Sequence, residues 1–145
     1  MINKIITGIS QKLDEIFNAV NEEYTIYTEN VEQDLEEPCF FILGLKPSST
    51  LIVGRRYKRE YPFDIHYFPK DLEHINCECN EVTERLMTGL EYITVDGSLV
   101  RGTEISGETV DNVLHFFINF NMIVRKDIPK EDPMENVKVN SGLKR

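Results

Sequence analysis

The run Val113 to Val124 (VLHFFINFNMIV) constrains the fold more than any other stretch of the chain. Taken two residues at a time, one side is Leu114, Phe116, Ile118, Phe120, Met122 and Val124, all apolar. The other side is Val113, His115, Phe117, Asn119, Asn121 and Ile123, which mixes apolar and polar groups. Side chains alternate across a strand, so this pattern describes an antiparallel strand with one side on a core and the other half wet. A helix would scatter the asparagines and phenylalanines around its circumference. A dry side this continuous must be covered, and the rest of the chain has to supply the cover.

Two stretches can do so. Residues 2 to about 19 place Ile2, Ile5, Ile6, Ile9, Leu13, Ile16, Phe17 and Val20 at three- and four-residue spacing, with Lys4, Gln11, Lys12, Asp14 and Glu15 opposite. That is an amphipathic helix, suited to covering the final strand. Residues 71 to about 91 predict a second helix, with Asp71 as N-cap and a stripe of Leu72, Ile75, Cys79, Val82, Leu86 and Leu90.

The remaining segments read as strands and turns. Residues 24 to 28 (YTIYT) are β-prone. Cys39 to Leu45 is apolar on both sides and belongs inside a sheet. Leu51 to Tyr61 and Phe63 to Phe68 predict two strands joined through Pro62 at an edge or bend. Asp96-Gly97 is a hairpin signal, since both residues tolerate positive φ. Leu99 to Val110 reads as a thin polar strand, turned at Asp111-Asn112 into the last one. The fold class is α+β: two layers, a mostly antiparallel sheet with both helices on one face. Residues 1–127 form a single domain on this reading, and the charged, proline-bearing segment 128–145 is a flexible tail.

Size and charge bound the function. A chain of 145 residues fits one domain with a core of its own. A net charge of -9 repels nucleic acid and anionic membrane from the molecule as a whole. Three cysteines suit a reducing compartment better than a disulfide framework, and no uninterrupted apolar segment points to a membrane, so a cytoplasmic origin is expected.

Catalytic and metal chemistry find little support. His74, Cys77 and Cys79 fall on the predicted second helix, where the two cysteines diverge by roughly 200°. Cys39 as a nucleophile would need His66 or His115 beside it, and nothing local activates it. Asp64 with Glu60 or Glu104 could be assembled into a carboxylate nuclease site, but no lysine stands in fixed relation to them. Gly54, Gly97, Gly102 and Gly107 make no phosphate-binding loop. No enzymatic activity, metal or cofactor is therefore expected.

One cluster opposes the overall charge: Arg55-Arg56-Tyr57-Lys58-Arg59 carries four cations in five residues. It admits three readings: an edge strand protected by charge, a nucleic-acid contact, or a partner for the acidic stretch Glu29 to Glu37 of a neighbouring copy. An acidic patch and a basic strand on one subunit permit head-to-tail association, which closes into a ring when the rotation allows.

Several blocks taken together carry a resemblance. MINKIITGISQKL, NVEQDLEEPCFFI, YPFDIHYFP, LEYITVDGSLVRGT and DNVLHFFINFN, spanning residues 1 to about 127, resemble the phage tail terminator (tail-completion, minor tail) proteins of Gram-positive phages and prophages. The resemblance implies an α+β fold, no catalytic residues, and a ring, commonly a hexamer, assembled from subunits that can be monomeric beforehand. It implies the major tail tube protein and a head-completion protein as further partners. The subunit would act in the host cytoplasm during assembly and then in the virion tail. The surfaces expected to serve as interfaces are Arg55, Arg56, Lys58 and Arg59; Glu32, Asp34, Glu36 and Glu37; and His115, Asn119 and Asn121 on the polar side of the last strand. Rival readings are a nucleic-acid-binding accessory module using Arg55 to Arg59, and another head–tail connector or minor tail component.

Overall fold

A computed structural model describes residues 1–21, 23–29 and 35–127. Glu32 and Asp34, and the tail expected from residue 128, lie outside the described residues. The elements run α1 (Ile2–Phe17), β1 (Thr25–Tyr27), β2 (Cys39–Gly44), β3 (Ser48–Val53), β4 (Arg56–Phe68), α2 (Ile75–Gly89), β5 (Tyr92–Val95), β6 (Ser98–Val110) and β7 (Val113–Arg125). The strands form a single sheet in the order β1-β2-β4-β7-β6-β5, with β3 paired to the outer part of β4. All pairings are antiparallel except β1 with β2. The fold is α+β, with both helices on one side of a curled sheet.

The side of β7 predicted to be dry is buried from Leu114 to Phe120 and half-buried at Met122 and Val124. Leu114, Phe116, Ile118 and Phe120 are buried, together with Tyr61, Phe63, Ile65 and Tyr67 of the adjoining β4. Ile5, Ile9, Leu13 and Phe17 of α1 and Cys79, Val82 and Leu86 of α2 close the same core. Removing each large side chain from water contributes about 1.5–3 kcal/mol. The cover is shared differently from the expectation: α1 lies chiefly against β5 and reaches β1 and β2, while α2 lies over β6 and β7. Two glycines let these layers meet. A Cβ at Gly8 would sit 2.8 Å from the Thr94 carbonyl oxygen, and one at Gly102 would sit 2.9 Å from that of Leu90.

The ends of the helices depart from the periodicity. α1 stops at Phe17, because the Asn18 side chain binds back to Asp14 and forward to both backbone groups of Tyr24, each at 2.9 Å. Val20, counted in the apolar stripe, is therefore off the helix and 91 % exposed. Arg85 of α2 then donates to the carbonyl of Ile16 at 2.8 Å and lies over the Phe17 ring, so one cation serves the C-terminus of α1 and its last aromatic. Asp71 is not the N-cap of α2. The helix begins at Ile75, and the Asp71 carboxylate instead accepts the Glu73 N–H at 3.0 Å in the turn before it. Glu78 reaches back from the first turn of α2 to accept the N–H groups of Lys70 and Asp71 and the Tyr67 hydroxyl. Leu72 is left in solvent at 71 % exposure.

Pro62 does not divide two strands. β4 continues through it from Arg56 to Phe68. A residue's N–H and C=O point to the same edge of a strand, and the Pro62 carbonyl accepts the Leu45 N–H at 2.9 Å. The missing donor therefore faces the gap where β2 ends opposite Phe63 and β3 begins opposite Glu60. The ladder to β7 is untouched, which is how a proline sits inside a long central strand. Asp96-Gly97 turns β5 into β6 and Asp111-Asn112 turns β6 into β7, all four residues at positive φ. A register shift between Thr103 and Ser106, with Glu104 at φ 51°, bends β6 and curls the sheet.

Candidate functional site on the open face and ends of the sheet

The helices leave the second face of the sheet uncovered, and alternation sets what stands on it. β4 contributes Arg56, Lys58, Glu60, Pro62, Asp64 and His66; β7 contributes His115, Phe117, Asn119, Asn121, Ile123 and Arg125. The register pairs His66 with His115, Asp64 with Phe117, Glu60 with Asn121, Lys58 with Ile123 and Arg56 with Arg125. Polar contacts knit the middle of this face: Asn119 donates to Glu60 at 3.3 Å, and Asn121 donates to Thr103 at 3.2 Å. Asn119, expected to be an interface residue, is 5 % exposed and serves mainly to hold Glu60; Asn121 is half-buried.

At one end of this face Asp64, His66 and His115 converge. One oxygen of Asp64, Oδ2, stands 2.9 Å from His66 Nε2 and 3.1 Å from His115 Nδ1. The imidazoles meet edge-on, with ring centres 4.3 Å apart. Asp64 is 7 % exposed, and its other oxygen, Oδ1, is buried with no hydrogen-bond partner among the described residues. Phe117 stacks beside His115, and Phe41 of β2 stands opposite His66. From the sequence, Asp64 and His66 share one side of their strand and His115 stands on the half-polar side of the last one, and the two histidines enter only as the imidazoles that a nucleophilic Cys39 would need. Sequence reasoning did not join the histidines to Asp64, because only the pairing of β4 with β7 does that. The signal available was the Asp-x-His spacing in FDIHYF, which puts Asp64 and His66 on one side of a strand.

The basic cluster is placed differently from a uniform strand. Arg55 is in the turn between β3 and β4. Arg56 and Lys58 are exposed on the open face, whereas Arg59 is on the helix side, beside Met1, Ile2 and Asn3 of the α1 N-terminus. Lys58 lies 3.8 Å from Glu60. Sequence reasoning missed two further cations that the register brings here. Arg125 pairs with Arg56, and Lys126 donates its N–H to the Arg55 carbonyl and lies over the Tyr57 ring. The adjoining β3 is exposed along its whole length, with Leu51, Ile52 and Val53 each more than half exposed.

Glu36 and Glu37, both exposed, lie at the other end. Glu37 comes two residues before Cys39, which pairs with Phe68 at the far end of β4. Twelve steps of about 3.3 Å separate Arg56 from Phe68, so the basic and acidic ends stand about 40 Å apart. Among the described residues no ion pair joins them. Within one chain the described members of the two groups do not meet.

Two of the three thiols are poor nucleophiles. Cys39 and Cys79 are buried, and burial pushes both thiols up, Cys39 to about 11. Cys77 is exposed and stands 4.0 Å from Glu81. No helix among the described residues is long and apolar enough to cross a membrane.

A family model described as phage tail terminator protein matches residues 4–132. No curated protein matches the chain. One solved structure is similar at 15 % identity over 90 % of this chain and 99 % of its own, with a TM-score of 0.46, a likeness that carries no argument.

Proposed function

The chain belongs to the phage tail terminator family and is a phage tail structural protein, and from that premise we propose that it closes into a ring that caps the tail tube and prepares the head-joining face. The family match across residues 4–132 carries this reading. The arrangement of charge supports it. A basic end built from Arg55, Arg56, Lys58, Arg125 and Lys126, and an acidic end carrying Glu36 and Glu37, lie at opposite ends of one long strand. Such a subunit suits head-to-tail contacts, in which one end of each copy meets the other end of the next. The exposed β3 edge supplies apolar surface and unpaired backbone groups beside the basic end.

Capping is then a matter of complementarity. The ring occupies the surface that the next tube subunit would need, and its outer face is left for a head-completion protein. Assembly takes place in the host cytoplasm before the subunit enters the virion tail, and we assign no reaction to it. The decisive test is electron microscopy of particles made without this protein. Overlong tail tubes with unattached heads are the expected result; tubes of normal length would overturn the terminator role. Normal tubes on intact heads lacking DNA would favour a head–tail connector instead.

A further inference from the structure

We propose that Asp64, His66 and His115 form a binding site for one divalent transition-metal ion of the zinc class on the open face of the sheet. This goes beyond the capping role and does not depend on it. Two imidazoles and a carboxylate are a donor set that d-block ions favour, whereas magnesium and calcium prefer oxygen alone. The three groups are already gathered: a ligand atom from each lies within 4.8 Å of the others. Zinc bonds of about 2.0–2.2 Å in a tetrahedron would set neighbouring donors roughly 3.4 Å apart. The two separations to Asp64 Oδ2, 2.9 and 3.1 Å, need open only by a few tenths of an ångström.

A second observation points the same way. Asp64 is a nearly buried carboxylate whose Oδ1 has no partner among the described residues. A buried charge of this kind is costly unless something compensates it. Both imidazoles crowd one oxygen of Asp64. With the metal bound, neutral His66 carries its proton on Nδ1 and neutral His115 on Nε2, leaving the facing nitrogens free to coordinate. The ligands come from neighbouring positions on β4 and β7, two long paired strands at the centre of the sheet, so the backbone holds them rigidly. Phe41 and Phe117 flank the site, and the histidine side chains remain 23 % and 25 % exposed, which leaves entry and a fourth position toward solvent.

The test uses the full chain, freed of metal with a chelator and titrated with zinc chloride by calorimetry. Cobalt chloride serves as a spectroscopic probe of four-coordinate geometry. One ion per chain is expected, with affinity falling about 100-fold in His66→Gln and in His115→Gln. Full binding should persist in a His74→Ala, Cys77→Ser double variant, which removes the exposed competing ligands. Because substitution on central strands can disturb folding, nitrogen-detected NMR of the unaltered protein gives a second measurement. Zinc should shift His66 Nε2 and His115 Nδ1 while leaving His74 in place. The proposal is overturned by absence of zinc binding at micromolar concentration, by binding that survives loss of both histidines, or by magnesium chloride giving the same imidazole shifts as zinc.

Discussion

Cys39 stands fully buried at the start of β2, and burial, with the Glu37 carboxylate nearby, pushes its thiol up to about 11. Cys79 is raised by burial in the same way, while Cys77 is in solvent. A thiol reacts as its thiolate, so a disulfide reagent at pH 8 should titrate Cys77 quickly and the other two only on unfolding. The expected counts are one fast thiol in the native protein and three in denaturant. A second fast thiol would contradict the burial of Cys39 or Cys79. The sign for stability follows from the same shift. Folded Cys39 keeps its proton to higher pH than the unfolded chain, whose thiol ionises near 9.0. Its stabilisation is complete below about pH 9 and is lost as pH rises through about 11. Burial of Cys39 was readable from the apolar run around it, whereas the Asp64, His66 and His115 cluster was not. Each of those three residues sat on the expected side of its strand, but a one-residue change in register would have separated them.

The long elements were legible because their periodic runs are long. β7 repeats apolar residues across its whole length, and α1 repeats them over four turns, so local propensity and burial agree. A one-position contrast on β7 tests the assignment of faces. Phe116→Ala removes a side chain with no exposure from the core and should cost about 3–5 kcal/mol in urea unfolding. Phe117→Ala, on the open face, should cost clearly less. Equal losses would mean that the sheet has both faces covered. What escaped the sequence lay at ends and edges. Pro62 implied a break because its neighbours' partners were unknown, and a change of partner from β2 to β3 is what accommodates it. The second helix does not open at Asp71, although that residue type caps helices, because Glu78, seven residues later, already engages the backbone there. Side-chain competition of this kind leaves no periodic trace.

At the scale of the molecule, the separation of charge along β4 makes the proposed ring testable without knowing its partners. The described part of the acidic stretch, Glu36 and Glu37, lies about 40 Å from Arg56, so substitutions at one end should leave the other end's local structure alone. Arg56→Glu with Lys58→Glu places negative charge on both contacting ends, and like charges across an interface are strongly unfavourable. The double variant should melt within a few degrees of the unaltered protein, because both side chains are exposed. It should nonetheless fail to form the ring with tail tube protein, measured by light scattering on size-exclusion fractions. Combining it with Glu36→Lys and Glu37→Lys in the same chain reverses the charge at the substituted positions of both ends and should restore assembly. Rescue of this kind separates a head-to-tail contact from a nucleic-acid contact. A DNA-binding strand would lose salt-sensitive binding on the first change and would not regain it on the second. Raising salt from low to physiological strength should slow ring formation in the unaltered protein, since charges farther apart than about 8–10 Å are then screened. Assembly indifferent to both the reversal and the salt would shift the interface to the apolar β3 edge, where Leu51, Ile52 and Val53 stand exposed.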